Sequence, residues 1–235
     1  MNTSLQSEKK PSVLAIIPAR GGSKGIPRKN LIDIGGKPLV AYSIEVALRS
    51  QRVSRVIVST DDEEIAEVSK SFGAEVPFLR PKELSHDRSV IHDALCYTVD
   101  KLKKGGYRPD AMINLYPTHP FRSSGLVDFL VGKMFDGYQT VKTVRSVDLS
   151  HDPVYNLESD GTLAPLFERS RCDGTTRNHV RSYGTFMGQM LIGYQPFGIY
   201  LHYLDDEISL IDIDSEDDLL LARRVVEQGR FDFVC

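Results

Sequence analysis

A stretch rich in glycine and basic residues, residues 18–30, follows the first apolar run of the chain. It holds three glycines and four lysine or arginine residues. Glycine lets backbone N–H groups turn toward an anion, and the basic side chains supply positive charge for a polyphosphate. The stretch is not a P-loop, because Ser23 precedes Lys24 and Pro27 interrupts the expected helix. The sequence therefore predicts a polyphosphate-binding loop, with a solvated basic surface loop as the alternative.

Two aspartates near the end of the chain, Asp212 and Asp214, are a second candidate for chemistry. The segment from Ile208 to Ile213 alternates as a β-strand does, and side chains two apart on a strand project from one face. Paired carboxylates form a hard-oxygen site suited to Mg²⁺, which bridges phosphates. The alternative is a helix N-terminus capped by Asp214 or Ser215, and Asp214 can serve both purposes.

These candidates need a scaffold, and the apolar pattern predicts one. The run from Val13 to Ile17 is apolar throughout, which suits a strand buried on both faces of a parallel sheet. Further strands are predicted at 56–58, 111–115 and 208–213, and helices at 39–48, 63–72, 90–102, 125–135 and 215–228. Strands that alternate with helices indicate an α/β fold of Rossmann-like type, with a mainly parallel sheet and helices on both faces.

Polar clusters follow three of the predicted strands, at 20–30, 59–62 and 116–122. Ligands of parallel α/β sheets bind beyond the carboxyl ends of the strands, so we expect these clusters to meet at one site. Asp61, inside the second cluster, is interpreted as the cap of the helix that follows it.

The alternation of strands and helices breaks after Val144. Residues 148–197 are rich in glycine, arginine, aspartate and proline, with a predicted hairpin around 159–161, and we interpret them as an inserted lobe or extended arm. Its arginines form either ion pairs across a subunit interface or a clamp for an anionic acceptor: Arg169, Arg171, Arg177 and Arg181. We interpret residues 1–11 as a disordered tail and residues 12–235 as a single domain.

Several blocks of sequence, in order along nearly the whole chain, resemble one family. They are Ala-Arg-Gly-Gly-Ser-Lys-Gly-Ile-Pro at 19–27, Lys-Asn at 29–30, and the blocks at 34–39, 57–61, 78–81, 83–87, 115–122 and 211–214. Together they resemble the acylneuraminate cytidylyltransferases, which are the CMP-sialic acid synthetases and their relatives. The Kdo cytidylyltransferases are less similar, because their first loop lacks the Ser-Lys-Gly and Lys-Asn elements.

The resemblance implies a nucleotide-diphospho-sugar transferase fold and a Mg²⁺-dependent enzyme. Such an enzyme couples CTP to the anomeric hydroxyl of a 2-keto sugar acid of the nonulosonate type and releases pyrophosphate. Arg20 and Lys24 would be catalytic, because fixed cations stabilise the charge on transferring phosphates. The nucleotide-binding residues implied by position are Arg20, Gly21, Gly22, Ser23, Lys24, Lys29, Asn30, Arg80 and Asp87. Asp212 and Asp214 would hold Mg²⁺, and the arm would complete the partner's site in a homodimer.

The chain departs from the family on the acceptor side. Tyr116 stands where the family has glutamine, His119 where it has serine, and Tyr183 where an amide is expected. The acceptor-binding residues carried over by position are Tyr116, Thr118, His119, Arg122, Arg181 and Tyr183. His119 is either an acid or base beside the acceptor or a polar residue in a turn bracketed by prolines.

These departures predict that the CTP chemistry is retained and the acceptor is altered. We expect a nonulosonate acceptor, with a phosphonate or a sugar phosphate as the alternative. A non-catalytic, nucleotide-binding regulatory subunit is the alternative from another functional class.

The composition excludes other classes. With 235 residues and a formal net charge of -3, the chain has no bulk basic field for nucleic acid or an anionic membrane. Its three cysteines, Cys96, Cys172 and Cys235, are far apart and fit reduced thiols. No apolar stretch approaches the ~18–20 residues of a membrane span, and the G-x-G-x-x-G fingerprint of dehydrogenases is absent. We expect a cytoplasmic enzyme whose partners are CTP and a small acidic acceptor, without nucleic acid or a membrane.

Overall fold

Ten strands and five α-helices follow one another along the residues that the computed structural model describes, which are 10–23, 25–85, 91–147, 155–157, 163–165, 179–191 and 198–234. The strands are β1 (Val13–Pro18), β2 (Asp33–Ile34), β3 (Lys37–Pro38), β4 (Arg55–Ser59), β5 (Ala111–Asn114), β6 (Thr140–Val147), β7 (Tyr155–Leu157), β8 (Leu163–Pro165), β9 (His179–Met190) and β10 (Ile199–Tyr203). The helices are α1 (Leu39–Arg49), α2 (Glu63–Ser71), α3 (Ile91–Lys104), α4 (Ser124–Phe135) and α5 (Glu216–Glu227).

The main sheet has six strands in the order β10-β6-β9-β5-β1-β4. Every neighbouring pair is parallel except the two pairs that involve β9, which runs antiparallel to β5 and β6. Strand β1 is central because its side chains are apolar on both faces, and its first five residues are buried. The predicted mainly parallel sheet is confirmed.

Helices cover both faces of this sheet, as predicted. On β1, the side chains of Val13, Ala15 and Ile17 belong to the apolar cluster that includes α1 and α4. The alternate side chains Leu14 and Ile16 pack with residues of α3. A third cluster joins α5 to α1 and to the segment that precedes α5. None of the helices in the described ranges has the length and apolar character that a membrane crossing requires.

Side-chain caps mark the start of three of the described helices, among them α4, where the Ser123 hydroxyl accepts a hydrogen bond from the Leu126 N–H at 3.1 Å. The carboxylate of Asp62 accepts a hydrogen bond from the backbone N–H of Ile65 and caps α2, so the prediction that Asp61 is this cap is wrong. Ser215 caps α5 in a reciprocal capping box with Asp218. The Asp61 carboxylate instead accepts a hydrogen bond from the Gly21 N–H in the loop after β1.

The predicted strand at 208–213 is absent. Residues 207–210 form a turn, and residues 211–214 pair with none of the described strands; the Ile213 N–H donates to the Thr118 carbonyl at 2.8 Å. The alternation of apolar residues is real, because Ile211 and Ile213 are buried against Phe121 and α5. Burial against a helix produced the pattern that we interpreted as a sheet strand.

The range predicted as an inserted lobe contains a strand of the main sheet. Strand β9 lies between β5 and β6, so the sheet extends into residues 179–190 of the predicted 148–197. Strands β7 and β8 pair antiparallel on either side of the predicted turn, as a hairpin requires. The rest of the predicted lobe, and residues 1–9 of the predicted tail, lie outside the described residues.

A bulge interrupts the pairing of β6 with β9. Lys142 pairs with Met187, but the next residue of β6, Thr143, pairs with Tyr183, so residues 184–186 of β9 have no partner in β6. The Thr143 hydroxyl bridges this gap, because it accepts a hydrogen bond from the Phe186 N–H at 3.1 Å and lies 2.6 Å from the Tyr183 carbonyl. Bulges of this kind redirect side chains next to functional sites.

Replacing the bridging threonine tests how far the bulge depends on it. Thr143→Val keeps the shape of the side chain but leaves a buried N–H and a buried carbonyl without a partner, so the free energy of unfolding should fall by about 1–3 kcal/mol. Chemical denaturation measures the change. Thr140→Val on the same strand, at a partly exposed position, is the control and should stay within about 0.5 kcal/mol. Equal stability of the two variants would contradict the bridge.

Candidate active site

A cleft of about 420 Å³ opens beyond the carboxyl ends of β1 and β5. Its walls bring together the first and third polar clusters predicted from the sequence, together with Arg80 and Asp214. The lining residues are Pro18, Arg20, Ser23, Gly25, Lys29, Asn30, Arg80, Leu84, Ile91, Ala94, Tyr116, Pro117, Thr118 and Asp214. The expectation that ligands meet the sheet at this edge therefore agrees with the shape of the molecule.

The basic loop after β1 is held by hydrogen bonds to its backbone. The Asn30 side-chain amide donates to the Arg20 carbonyl at 3.0 Å, and the Gly21 N–H donates to the Asp61 carboxylate at 3.0 Å. Asn30 is buried and lines the cleft, so its side chain both holds the loop in place and borders the ligand space. Asp61, which the sequence suggested as a helix cap, instead supports the loop.

Lys29 joins this loop to the segment that carries the two aspartates. Its ammonium nitrogen lies 2.7 Å from the Ile213 carbonyl oxygen and 2.6 Å from an Asp214 carboxylate oxygen. The resemblance implied that Lys29 contacts the triphosphate. The structure places Lys29 in the cleft wall, with its charge already paired to Asp214.

Gly25 brings the two segments into direct contact. A Cβ atom built on Gly25 would lie 2.3 Å from the Asp214 carbonyl oxygen, a backbone atom, whereas one on Gly22 would meet nothing within 4 Å. Only glycine therefore allows the loop to approach residues 211–214 this closely.

Arg80 contributes a buried guanidinium to the same wall. Its Nε donates to the Ser85 hydroxyl at 2.9 Å, and its Nη2 lies 4.0 Å from the Asp61 carboxylate. Burial lowers the pKa of Arg80, the Asp61 charge raises it, and the nearby positive charge of Arg20 lowers it again. Two cations on one wall favour an anionic ligand there.

The two aspartates differ in their surroundings. Asp214 is largely exposed and paired with Lys29, whereas the Oδ1 atom of Asp212 is buried and takes no hydrogen bond from any residue in the described ranges. Burial raises the pKa of Asp212, and a hydrogen bond with Thr118 opposes that rise. A buried carboxylate oxygen without a donor suits a cation, so the pair fits Mg²⁺ when phosphate oxygens complete the shell. The described chain has no cluster of three or more metal-ligating side chains.

Arg122 lies inside the protein rather than in the cleft. It is fully buried and donates to the Thr185 carbonyl, to the Ser43 hydroxyl at 2.7 Å and to the Tyr116 carbonyl at 2.6 Å. Burial lowers its pKa to about 9, which leaves it charged at neutral pH. The expected contact with an acceptor is corrected: Arg122 holds the wall that carries Tyr116.

Tyr183 is also part of this wall. It is 9% exposed, its hydroxyl donates to the Leu210 carbonyl, and its ring meets His119 edge-on with the centroids 4.6 Å apart. Burial raises the pKa of Tyr183 to about 12. Tyr183 thus contacts the turn before the aspartates and does not line the cleft, contrary to the expected contact with an acceptor.

His119 is buried beside it. Burial, reinforced by the charge of Arg122, lowers the pKa of His119 to about 3, so the imidazole is neutral at neutral pH. Of the two interpretations of His119, this favours a polar residue of the turn over an acid or base. Tyr116 and Thr118 are the predicted acceptor residues that do line the cleft.

The remaining predicted site residues are only partly placed. Arg181 lies in β9, where its backbone pairs with Arg145 of β6. Lys24, Asp87 and three of the arm's arginines lie outside the described residues. Sequence reasoning missed Ser43 and Thr185, which accept hydrogen bonds from Arg122. A single hydroxyl on a helix and a backbone carbonyl in a bulge belong to no sequence motif, so neither could be recognised.

A family model described as cytidylyltransferase matches residues 14–170. The chain belongs to the cytidylyltransferase family. It is 46% identical over 114 residues to pseudaminic acid cytidylyltransferase of Campylobacter jejuni, an alignment that covers 48% of this chain and 49% of that relative. It is 33% identical over 233 residues to N-acylneuraminate cytidylyltransferase of Escherichia coli, covering 89% of this chain and 51% of that relative. This cytidylyltransferase-family chain thus spans about half the length of these curated relatives.

Solved structures agree on the fold of this cytidylyltransferase-family chain. A structure of CMP:2-keto-3-deoxy-manno-octonic acid synthetase complexed with CTP matches 93% of the chain and 99% of its own length, with a TM-score of 0.68 and 19% identity. The family and the fold that the sequence motifs predicted are confirmed. At this identity the likeness concerns the fold and not the ligand.

Substitution at Gly25 tests the close approach of the loop to Asp214. In Gly25→Ala the new methyl group collides with a backbone carbonyl, so the free energy of unfolding should fall by about 1–3 kcal/mol. Gly22→Ala is the matched control, since its methyl group enters open space and stability should stay within about 0.5 kcal/mol. Thermal and denaturant unfolding measure both. If Gly25→Ala is as stable as Gly22→Ala, the two segments are not held together as described.

Replacement of the buried arginine tests its role in the wall. Arg122→Met leaves two buried carbonyls and a hydroxyl without their donor, and each unpaired group should cost about 1–3 kcal/mol of unfolding free energy. Arg108→Met, at an exposed position, is the control and should change stability by less than about 0.5 kcal/mol. A stable Arg122→Met variant would contradict the structural role and restore the acceptor interpretation.

Proposed function

We propose that this chain transfers CMP from CTP to the anomeric hydroxyl of a nonulosonic acid, with release of pyrophosphate and dependence on Mg²⁺. The observation that carries the proposal is the arrangement of one cleft. The basic loop of Arg20 and Lys29, the buried cation of Arg80 and the carboxylate of Asp214 all border it. The relatives named above support the activity, because both are cytidylyltransferases of nonulosonic acids by name.

The nucleotide fits the half of the cleft bordered by the loop. The cations of Arg20 and Arg80 are close enough to affect one another, so an anion between them relieves their repulsion. Leu84, Ile91 and Ala94 line the cleft beside Arg80 and offer apolar surface for a nucleobase. The triphosphate then lies along the loop toward Asp214, with Lys29 in reach of both.

The chemistry consists of one displacement at phosphorus. The acceptor oxygen bonds to the α-phosphorus, the bond from that phosphorus to the bridging oxygen breaks, and the acceptor's proton is released. Negative charge grows on the bridging oxygen, and Arg20 and Lys24 are proposed to stabilise it as fixed cations. Asp212 and Asp214 would hold Mg²⁺, whose positive charge would offset part of the charge on the phosphates. Much of the acceleration comes from holding acceptor and phosphate in line.

The acceptor occupies the opposite half, against Tyr116 and Thr118. These are the described residues of the predicted acceptor set that line the cleft. Arg122 holds the Tyr116 backbone through its carbonyl, and the Tyr116 hydroxyl contacts Met187 Sδ at 3.7 Å, so the phenol ring presents a fixed surface to the sugar. A nonulosonate is proposed as the acceptor on the names of the relatives, with phosphonates and sugar phosphates as competing classes.

We also propose a cytoplasmic homodimer. Strand β10 is an edge strand, and three of its apolar side chains are strongly exposed: Ile199 at 59%, Leu201 at 38% and Tyr203 at 51%. Apolar rows on a sheet edge are surfaces that another chain covers. The proposed dimer also includes the four arginines of the predicted arm, for which ion pairs across the subunit interface were one of the two predicted roles.

The proposal is tested by pyrophosphate release with Mg²⁺ and each of the four nucleoside triphosphates. The acceptors are pseudaminic acid, N-acylneuraminic acid, 2-keto-3-deoxy-manno-octonic acid, a phosphonate and a sugar phosphate. We expect pyrophosphate only with CTP and a nonulosonic acid, and none after chelation of the metal. Arg20→Met should lower kcat/KM by about 100-fold or more, since it removes one fixed cation from the transition state. Arg108→Met, on the exposed surface, should not.

Each other result has a defined meaning. Nucleotide binding without pyrophosphate release for any acceptor would replace the proposal with a regulatory subunit. Release only with a phosphonate or sugar phosphate would overturn the acceptor assignment and keep the nucleotide half. Normal turnover of the Arg20→Met variant would show that the basic loop does not stabilise the transition state through Arg20.

A further inference from the structure

Arg28 is a cation of the basic loop whose side chain binds acids of the protein instead of bordering the cleft. It falls between the two family blocks at 19–27 and 29–30, so the resemblance gives it no role. Its Nη1 and Nη2 atoms both donate to the Asp62 carboxylate, the latter at 3.1 Å, and Nη2 also donates to the Glu64 carboxylate. These contacts, here called the loop clamp, join the loop to the start of α2.

The backbone of Arg28 adopts an unusual conformation. Its φ of 56° and ψ of 28° lie in the left-handed region, and no other non-glycine residue in the described ranges has a positive φ. An arginine in this region is strained, and such strain persists only where the surrounding structure holds it, most often at functional sites. The loop clamp is therefore a contact that can hold this conformation.

The turn that starts at Arg28 carries two residues of the cleft. The Arg28 carbonyl accepts a hydrogen bond from the Leu31 N–H at 2.8 Å, which closes a short helical turn over Lys29–Leu31. Lys29 and Asn30, in this turn, both line the cleft. Because the turn starts from Arg28, a change in its φ would move both side chains together.

The two ends of the loop meet at the start of α2. The Gly21 N–H donates to the Asp61 carboxylate at 3.0 Å, and a Cβ atom on Gly21 would lie only 2.6 Å from Asp62 Oδ2, the oxygen that accepts from Arg28 Nη1. Burial tends to raise the pKa of Asp62, but the hydrogen bond from Arg28 and those from the backbone lower it overall, so Asp62 is ionised at neutral pH. One charged carboxylate thus lies against the first part of the loop and binds the last part.

We propose that Arg28 is a positioning residue for the nucleotide, because the loop clamp holds it in the left-handed conformation from which Lys29 and Asn30 are directed into the cleft. This inference rests on the proposed function, since it takes the cleft as the CTP site. The positive charge of Arg28 serves the two acids of α2, and Arg28 does not contact phosphate.

Substitutions on the two sides of the clamp separate positioning from direct attraction. Arg28→Met removes a positive charge, whereas Asp62→Ser with Glu64→Gln, here called the acid-side variant, removes two negative charges and keeps a hydroxyl able to cap α2. Positioning predicts that either change weakens CTP binding by about 10-fold, since both release the same turn. Combining them should weaken it no further. Direct attraction of the triphosphate to Arg28 predicts that the acid-side variant binds CTP more tightly.

The measurement is calorimetric titration of CTP, with Mg²⁺ present, into the full chain. Thermal unfolding confirms that each variant is folded. Arg55→Met is the matched control, because Arg55 binds Glu75 through two hydrogen bonds at 2.8 and 2.6 Å at the opposite end of β4 from the loop. Its affinity for CTP should stay within about twofold of wild type.

Steady-state kinetics adds a readout that a loss of folded protein would not give. Released positioning should raise the KM for CTP by about 10-fold and leave the KM for the acceptor unchanged. Partial unfolding would instead lower kcat and change neither KM. Should Arg28→Met not fold, the acid-side variant alone decides, since the two roles predict opposite signs for it.

The inference is overturned if the acid-side variant binds CTP as tightly as wild type or more tightly, or if Arg28→Met binds it normally. A combined variant whose loss is the product of the two separate losses also overturns it. Pyrophosphate release keeps the two proposals apart. A chain that shows the expected pattern of CTP affinities but never releases pyrophosphate loses the proposed function alone, and an active enzyme whose CTP affinity ignores the clamp loses this inference alone. Absence of CTP binding by wild type removes both.

Discussion

The half of the cleft that is proposed to bind the acceptor depends on one buried cation. Removing the charge of Arg122 from water is costly, and the cost is offset only because three acceptors converge on it from helix α1, from the loop after β5 and from the bulge of β9. These are three elements far apart in sequence. Without the guanidinium, the Tyr116 and Thr185 carbonyls would both lose this donor. The loop and the bulge are therefore joined through one side chain.

The half of the cleft that is proposed to bind the nucleotide is organised by a different constraint, the balance of its own positive and negative charges. Cations from the basic loop and Arg80 border the cleft, and Lys29 is paired with Asp214 across it. The ion pair gives both groups a partner before any ligand binds. Under the proposed function, a triphosphate would compete for the Lys29 ammonium and a divalent cation for the Asp214 carboxylate, so a ligand that brings both would replace one neutral arrangement with another. This is why opposite charges can share so small a space.

The sequence predicted those elements whose apolar runs have one explanation. Strand β1 and helices α1 to α5 were placed within a few residues, because a continuous apolar run and a helical period are distinctive. The alternation at 208–213 has two explanations, a sheet or a helix surface, and local sequence cannot choose between them. Strand β9 contains two glycines and polar residues, so its place in the sheet follows from partners distant in sequence. The family's motifs identified the loop, but not that Arg122 and Tyr183 turn away from the cleft.

The departures from the family change shape more than hydrogen bonding. His119 packs edge-on against Tyr183, and the Gly184 backbone lies close to the rings of Tyr116 and His119, so a smaller side chain at Tyr116 or His119 would leave a gap. Asn30, Gly21 and Asp61 hold the loop through a separate set of hydrogen bonds. Under the proposed function, the residues proposed to face the acceptor can therefore change while the contacts that hold the loop are kept. These separate contacts explain how the chain can keep the loop sequence of the family while it departs from the family at Tyr116, His119 and Tyr183.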